Sequence, residues 1–283
     1  MSVALADLHL HSTASDGKND PKDVIRLASE KGLKAVSLTD HDTVNGLAEA
    51  RIAASEHGIE FISGVELSTI FRNRECHILG YGFNDNDEQL SRVFRRQYEA
   101  RVYRAKAIIA ELNKLGFEID FDEVWAESNN APVSRVHIAR VMISKGYCAT
   151  HQEVFMKYLG DDAPAYVPFE FISSEDGINA IHEAGGVAIL AHPSRNYLYE
   201  DLKELMDYEL DGFEYIHPSH NYTSQLKYSN HAKTRGLLIT GGSDFHGYLN
   251  KDFVNLGLVA IHMEYVRMLQ QKIEARASKV ELT

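Results

Sequence analysis

The stretch Ala6-Asp7-Leu8-His9-Leu10-His11-Ser12-Thr13-Ala14-Ser15-Asp16-Gly17 decides how the chain reads. Val3, Leu5, Leu8 and Leu10 give an apolar run with strand-like alternation, which ends in a polar turn closed by glycine. His9 and His11 stand two apart, so on a strand both imidazoles point to one side. Asp16 follows in the loop. Two imidazoles and a nearby carboxylate suit a divalent transition metal. The same three residues, taken alone, also fit two packed histidines in a β-hairpin. The rest of the chain separates the two readings.

Outward from this stretch, strand and helix alternate. Asp20 and Pro21 form a helix start, and Gly32 is a stop. A strand over 33–38 runs into Thr39-Asp40-His41-Asp42. A helix over 43–57 ends at Gly58, a strand over 59–65 ends at Glu66, and a strand over 75–83 carries His77. From residue 85 to 164 the pattern turns helical and amphipathic. The first helix of that block, over 91–115, bears a basic stripe from Arg92 to Lys106. The stripe reads as a solvated face, with guidance of an anionic substrate as its other use. Phe121 and Trp125 are expected to pack the block onto the main body, and Ser134 to Arg140 reads as a helix start. The rhythm resumes with a helix over 174–184 and a strand over 187–191 ending at His192. It continues through a strand over 212–216, with Glu214, His217 and His220 near its end. A strand over 237–240 then leads into Gly241-Gly242-Ser243-Asp244-Phe245-His246-Gly247. A strand over 256–261 and a helix over 264–277 finish the chain. The division expected is a barrel domain of residues 1–84 and 165–283, interrupted by a helical insertion over 85–164.

The 283 residues suffice for one large barrel, and 44% hydrophobic and 25% charged residues are ordinary for a globular enzyme. A net charge of −12 disfavours sequence-blind grip on duplex nucleic acid. It leaves room for a small phosphorylated ligand, because bound cations would reverse the charge locally. Cys76 and Cys148, the two cysteines, form no metal or disulfide pattern, which suggests a reducing compartment. No apolar run approaches the roughly 20 residues of a membrane span, and no signal-peptide pattern opens the chain. The expectation is a cytoplasmic protein with no membrane attachment and no obligate protein partner.

In a closed barrel of strands and helices, functional groups stand at the C-terminal ends of strands. His9, His11 and Asp16, then His41, then Glu66, then His192, then Asp244 and His246 all fall at such ends, and His77 lies within or just past its strand. One zinc takes three or four protein ligands. Nine candidates are too many for one ion and enough for two or three. Adjacent divalent ions suit phosphoryl transfer. Asp40 and Asp42 read as groups that orient His41 or its loop.

These separated motifs together resemble the PHP (polymerase and histidinol phosphatase) family: HxH with SDG, TDHD, GVEL, a histidine before LGY, AHP, and GGSDFHG. The resemblance covers the chain on both sides of the insertion. It implies an α/β fold, a distorted (β/α)7 TIM-like barrel with an inserted helical subdomain. It implies two or three divalent ions, manganese, iron or zinc. One ion would be held by His9, His11, Glu66 and Asp244, a second by Glu66, His77 and His192, and a third by Asp16, His41 and His246. The insert bearing Arg135 and His137 is similar to that of the small phosphoesterase branch. The implied function is hydrolysis of a phosphate ester of a small nucleotide by metal-activated hydroxide. The bond would be the 3′-phosphate of a nucleoside 3′,5′-bisphosphate, or a link cut in 5′-to-3′ trimming of short oligonucleotides. Asp244 and His192 would be indispensable to catalysis, with His137 a candidate proton donor. Arg135 and Arg195 are candidate phosphate clamps, and Ser12, His137 and His220 candidate pocket groups. Histidinol-phosphate hydrolysis and a non-catalytic metal-binding module are the competing functions.

Overall fold

The computed structural model describes residues 4–194 and 197–280. Eight strands form one nearly closed sheet: β1 (Leu5–Leu10), β2 (Ala35–Leu38), β3 (Glu60–Phe71), β4 (Arg74–Tyr81), β5 (Val187–Leu190), β6 (Gly212–Ile216), β7 (Leu238–Gly241) and β8 (Ile261–His262). Their order around the sheet is β7-β6-β5-β4-β3-β2-β1-β8. The ring is drawn shut after β7, where Asp244 N donates to His9 O at 3.0 Å and His11 N donates to Phe245 O at 2.9 Å. The fold is α/β, with α1 (Pro21–Glu30), α2 (Leu47–His57), α7 (Ser174–Glu183), α8 (Tyr199–Asp207) and α9 (Tyr222–Arg235) connecting strands.

Between β4 and β5 the chain makes α3 (Glu88–Lys114), α4 (Phe121–Ser128), α5 (Arg135–Ser144), α6 (His151–Val154) and a π-helical turn, Phe155–Leu159. A short α10 (Asn250–Asn255) follows β7, and α11 (Met263–Val280) closes the described chain. Among the described residues no helix is long and apolar enough to cross a membrane. Cys76 and Cys148 are free thiols and buried.

The strictly parallel, strand-then-helix reading fails at β8, which pairs antiparallel with β1, and more consequentially at β3. β3 does not stop at Glu66. It runs on to Phe71 and turns back as an antiparallel hairpin into β4, and β4 pairs antiparallel with β5 as well. Arg72 and Asn73, at φ 48° and 61°, make the two-residue turn, with Phe71 opposite Arg74. Both central residues at positive φ is the hairpin geometry that matches strand twist. Arg-Asn lacks the glycine that normally advertises it. Glu66 and His77 therefore face the site from mid-strand.

Three further expectations need correction. The last strand is only Ile261–His262, because Gly257 at φ 82° turns the chain before it. α2 begins at Leu47, after a turn in which Thr43 Oγ1 accepts from Asn45 N. Phe121 and Trp125 pack within the insert, against the cluster of Ile108, Leu112, Val124, Ile138 and Met142, and not onto the barrel.

The register of β1 against β2 slips by one residue between Asp7 and Leu10. Leu8 consequently packs with the barrel-lining cluster of Leu79, Tyr81, Val187 and Ile189. Leu10, two residues on, packs outward against Val24 and Ile25 of α1. A bulge of this kind re-aims a side chain at the cost of local pairing. Val266 and Leu269 of α11 join the lining cluster and seal the barrel at the N-terminal ends of its strands.

Candidate functional site

The opposite end of the barrel is polar. Glu66, 1% exposed, stands at its centre. Its Oε1 lies 2.7 Å from His192 Nε2 and 2.8 Å from His77 Nδ1, and its Oε2 lies 3.1 Å from His9 Nε2. His11 Nε2 lies 3.2 Å from Glu66 Oε2 and 3.2 Å from Asp244 Oδ1. Three sets of side chains each offer ligand atoms within 4.8 Å of one another: His9, His11, Glu66 and Asp244; His11, Asp16, His41 and His246; and His41, Glu66 and His77. His192 joins the last through Glu66 and, at 3.3 Å, His77 Nδ1. The structure thus brings together all nine residues singled out as candidate ligands.

Several of them are aimed by specific local devices. His9 Nδ1 donates to Glu214 Oε1 at 2.9 Å, which fixes its tautomer and turns Nε2 toward Glu66. Glu214 Oε2 accepts from His192 N at 2.6 Å, so one buried carboxylate holds two site residues. Glu75 Oε1 accepts from His77 Nε2 at 3.0 Å and does the same for that ring. Asp40 anchors the loop between His11 and Asp16: Ser12 N and Ser12 Oγ each reach it at 2.7 Å, and Ser15 Oγ at 2.6 Å. Asp42 accepts from Ser68 N at 2.7 Å and from Arg101 Nε at 2.7 Å, so it ties the His41 loop to β3 and α3. Gly242 lies against the His9 backbone, where a Cβ would come within 2.4 Å. His192 and Asp244 hold left-handed backbone at φ 26° and 52°. Such conformations cost on the order of 1–3 kcal/mol and concentrate at functional sites.

The electrostatics are unbalanced. Burial disfavours charge throughout, yet Glu214, Glu66 and Asp244 hold the His9 imidazole well above its ordinary pKa. Burial pushes His41 down to about 4, while Asp244 and Asp16 lift His246 to about 10 against the same burial. Against burial too, the surrounding histidines hold Glu66 and Asp244 well below the carboxylate range. Neighbouring imidazoles are thus pulled in opposite directions, His41 by burial and His246 by the carboxylates beside it.

The arrangement fits divalent cations. His11 Nδ1 and Nε2, His41 Nδ1 and His217 Nε2 are buried without a hydrogen-bond partner. Yet His41 Nδ1 lies 3.4 Å from a Glu66 oxygen, and His217 Nε2 3.4 Å from an Asp244 oxygen. Nitrogens this close to carboxylates but misaligned for hydrogen bonding converge on a common point, and a cation there would satisfy both.

Two cavities flank the cluster. One, of about 150 Å³, reaches from His41 and His77 to Arg101, Arg104 and Arg135 of the insert. The other, of about 710 Å³, runs between α5–α6 and α10, past Asp244, His246 and Tyr248. Arg135 lines the first; its Nη2 donates to Glu75 at 3.2 Å and its Nη1 to Leu159 O at 3.1 Å. His137 is buried, and its Nδ1 accepts from Ser134 N at 3.0 Å in a helix-capping arrangement. Burial pushes it down to about 4, so at neutral pH it offers a single ring N–H. Ser12 is buried beneath the cluster and spends its hydroxyl on Asp40. His220 stands back from the cluster: its Nε2 accepts from Ser194 N and its Nδ1 donates to Tyr215 O, each at 2.9 Å. Arg195 lies outside the described residues.

Sequence reasoning gave no role to Glu75, which aims His77, and noted Glu214 and His217 near a strand end without a role, although Glu214 aims His9 and His217 forms a further candidate set with both. It also misjudged the basic stripe. Arg101 and Arg104 are 7% and 5% exposed and turn into the site instead of out to solvent. The available signal was position: they share a helical face with buried Gln97, Ala105, Ile108 and Leu112.

Comparison with known proteins agrees with this geometry. The family model described as PHP domain matches residues 7–159. The 3′,5′-nucleoside bisphosphate phosphatase of Chromobacterium violaceum is 36% identical over 251 residues, 86% of this chain and 88% of that protein. A 5′-3′ exoribonuclease of Haemophilus influenzae is 36% identical over 245 residues, 85% of this chain and 89% of that one. A solved structure from Bifidobacterium adolescentis, described as a metal-dependent phosphoesterase, superposes with a TM-score of 0.87 at 30% identity, covering 94% of this chain and 96% of that one. With a family match across more than half of its length and full-length relatives at this identity, the chain belongs to the PHP domain family.

Proposed function

We propose that the chain is a metal-dependent phosphoesterase acting on small nucleotides. It removes the 3′-phosphate of a nucleoside 3′,5′-bisphosphate or trims short oligonucleotides from the 5′ end. The observation that carries this reading is the convergence of six histidines and three carboxylates around buried Glu66 at the barrel mouth. The names and coverage of the relatives support the substrate class.

The residues that would hold two or three ions are His9, His11, Asp16, His41, Glu66, His77, His192, Asp244 and His246, with Glu66 shared. Bound divalent cations supply Lewis acidity toward phosphoryl oxygens and a nucleophile at neutral pH. The chain's own part is positional. Glu214 and Glu75 keep His9 and His77 in one tautomer, so that lone pairs and not N–H groups face the ions. Asp40 and Asp42 hold the two loops that present Asp16 and His41. Arg135 approaches the mouth from the insert and offers planar N–H groups to phosphate oxygens. The helical insert over 85–164 acts as a subdomain that walls the cleft and supplies that cation. Its separate apolar cluster supports reading it as a unit.

The test is a panel assay on chelated protein reconstituted with manganese, zinc or iron, with metal content measured alongside. Turnover of 3′-phosphoadenosine 5′-phosphate or of short RNA, lost on chelation and restored by one of the metals, is the expected result. Faster turnover of histidinol phosphate than of any nucleotide, or stoichiometric metal with no turnover, would overturn it.

A further inference from the structure

The ligand set of His9, His11, Glu66 and Asp244 is placed by the barrel alone. Among the described residues no hydrogen bond to any of these four comes from the insert. Glu214 of β6 aims His9, and the loop after β7 closes onto the backbones of His9 and His11. The neighbouring set of His11, Asp16, His41 and His246 is built differently. Asp16 lies in the loop after β1. The first part of that loop is pinned to the barrel, where Ser12 and Ser15 bond to Asp40. The second part is pinned to α5 of the insert. Arg140 Nη2 donates to Asp16 O. His137, one helical turn earlier, has its Nδ1 taken by Ser134 N and turns its remaining N–H to the backbone of Ser15. Residues three apart share a helix face, so two side chains of one turn meet two consecutive peptide groups. The Arg140 side chain is 12% exposed and lies over the Tyr248 ring, 4.1 Å from its centre. Tyr248, two residues past His246, donates its hydroxyl to Gly17 O at 3.2 Å. The His41 loop is pinned by α3: Arg101 Nε donates to Asp42 Oδ2 at 2.7 Å, and Asp42 holds left-handed backbone at φ 53°. Burying a guanidinium is costly unless it is paired. Among the described residues the one carboxylate within 4.0 Å of Arg140 is Glu127, at 3.8 Å.

We infer that Arg140 and Arg101 are positioning residues through which the helical insert assembles the ion site of Asp16, His41 and His246, while the barrel assembles the site of His9, His11, Glu66 and Asp244 unaided. The claim rests on the metal-dependent reading above and gives the insert a part in loading the cluster. A ligand carried on a loop binds its ion only as well as the loop is preorganised. Residues that orient ligands without touching the ion change its affinity by roughly 10–100-fold. Arg140 is such a residue for Asp16: it holds the backbone oxygen and leaves the carboxylate free. Arg101 is the same for His41, acting through the side chain of Asp42. His11 belongs to both sets, so the two ions would adjoin, yet only one of them depends on helices outside the barrel. The insert is therefore more than a wall of the cleft, because its docking and the filling of one ion site are a single event.

The experiment reads metal binding and needs no turnover. Chelated wild type, Arg140→Met, Asp16→Ala and the double variant are titrated with manganese against a graded series of chelators, with ions per chain counted by elemental analysis. R140M should weaken the binding step that D16A removes by at least about tenfold and leave the other steps within about twofold. In the D16A background R140M should change nothing further, because Arg140 acts through Asp16. Arg140→Lys keeps the charge and a donor, and should recover part of the loss. Arg101→Lys keeps the charge but not the planar pairing with Asp42, and should weaken the same step. An R140M protein that binds every ion as wild type does would overturn the inference. So would a D16A protein that keeps every step, or an R140M loss that is as large in D16A as in wild type, the mark of a general loss of stability. Circular dichroism of each variant separates misfolding from lost positioning, and R140K carries the comparison if R140M does not fold. If wild type loads no ion, this inference and the proposed function fall together. If it loads ions but turns over no phosphate ester, the proposed function alone falls and the titration still decides the inference.

Discussion

The two ends of this barrel are built from the same strands and obey opposite rules. At the N-terminal end, Val266 and Leu269 of α11 seal an apolar interior, and the buried acid Asp211 is well partnered. At the C-terminal end, buried imidazole nitrogens lack partners, two site residues hold left-handed backbone, and neighbouring histidines are driven in opposite directions. A fold can keep such a mouth only if its floor supplies the stability. Substitutions at the mouth should therefore fall on activity and metal content, and substitutions at the floor on stability alone.

The largest effect is expected at Glu66, whose two oxygens serve the whole cluster. Glu66→Gln keeps the shape and removes the shared charge. Breaking a buried ionic set of this kind costs about 3–5 kcal/mol, or roughly a hundred- to several-thousandfold in rate if the loss falls on the transition state. Elemental analysis of the purified variant should find less than the wild-type metal content. Wild-type content with wild-type kcat/KM would mean that the mouth does not work as a cluster.

Glu75→Gln should do less, because Glu75 reaches the cluster only through the far nitrogen of His77, its other oxygen going to Arg135. The amide can donate as well as accept, so the ring is free to turn its N–H inward. Loss of an outer partner of this type costs about 10–100-fold in metal affinity. Competition with a graded series of chelators measures it. Added manganese should recover most of the rate in this variant and little of it in E66Q. If both variants respond alike to metal, the distinction between holding an ion and orienting its holder collapses.

How much of this was legible in the sequence follows the same division. The mouth announced itself because His, Asp and Glu fall where apolar runs stop, and those runs are visible as strands. Glu214 was noted near a strand end but given no role, because nothing in Gly-Phe-Glu-Tyr-Ile says that this acid points inward at His9. The β3–β4 hairpin was missed because Arg72-Asn73 carries no glycine, and a strand that passes through the site looks like two that end there. Arg101 and Arg104 were lost in a count of basic residues. The helical face they share with apolar Ala105, Ile108 and Leu112 points to burial, but what Arg101 meets there depends on how α3 lies across β3, which no local pattern encodes. Residues at chain-local landmarks could be read. Residues whose role is set by packing between distant elements could not.

The smallest effect, and the cleanest control, belongs to the floor. Asp211 accepts from His182 Nε2 at 2.8 Å, Ala188 N at 2.9 Å and Arg276 at 2.7 Å, and Lys272 lies at 3.3 Å. Against its burial, these partners lower its pKa below the ordinary carboxylate value. A carboxylate with a depressed folded pKa contributes stability that is complete above its unfolded pKa of about 4. That contribution fades as pH falls from there through the folded value. Asp211→Asn should therefore lower the unfolding free energy by about 1–3 kcal/mol at neutral pH, the range for hydrogen bonds to a charged group. The deficit should stay flat between about pH 5 and 7 and narrow below about pH 4. Denaturant titrations of wild type and D211N at several pH values read it directly. Turnover at neutral pH should match wild type, since none of the partners of Asp211 belongs to the cluster. A D211N enzyme with intact stability and reduced turnover would mean that the two ends are coupled through the strands, and that the floor does more than hold the mouth in place.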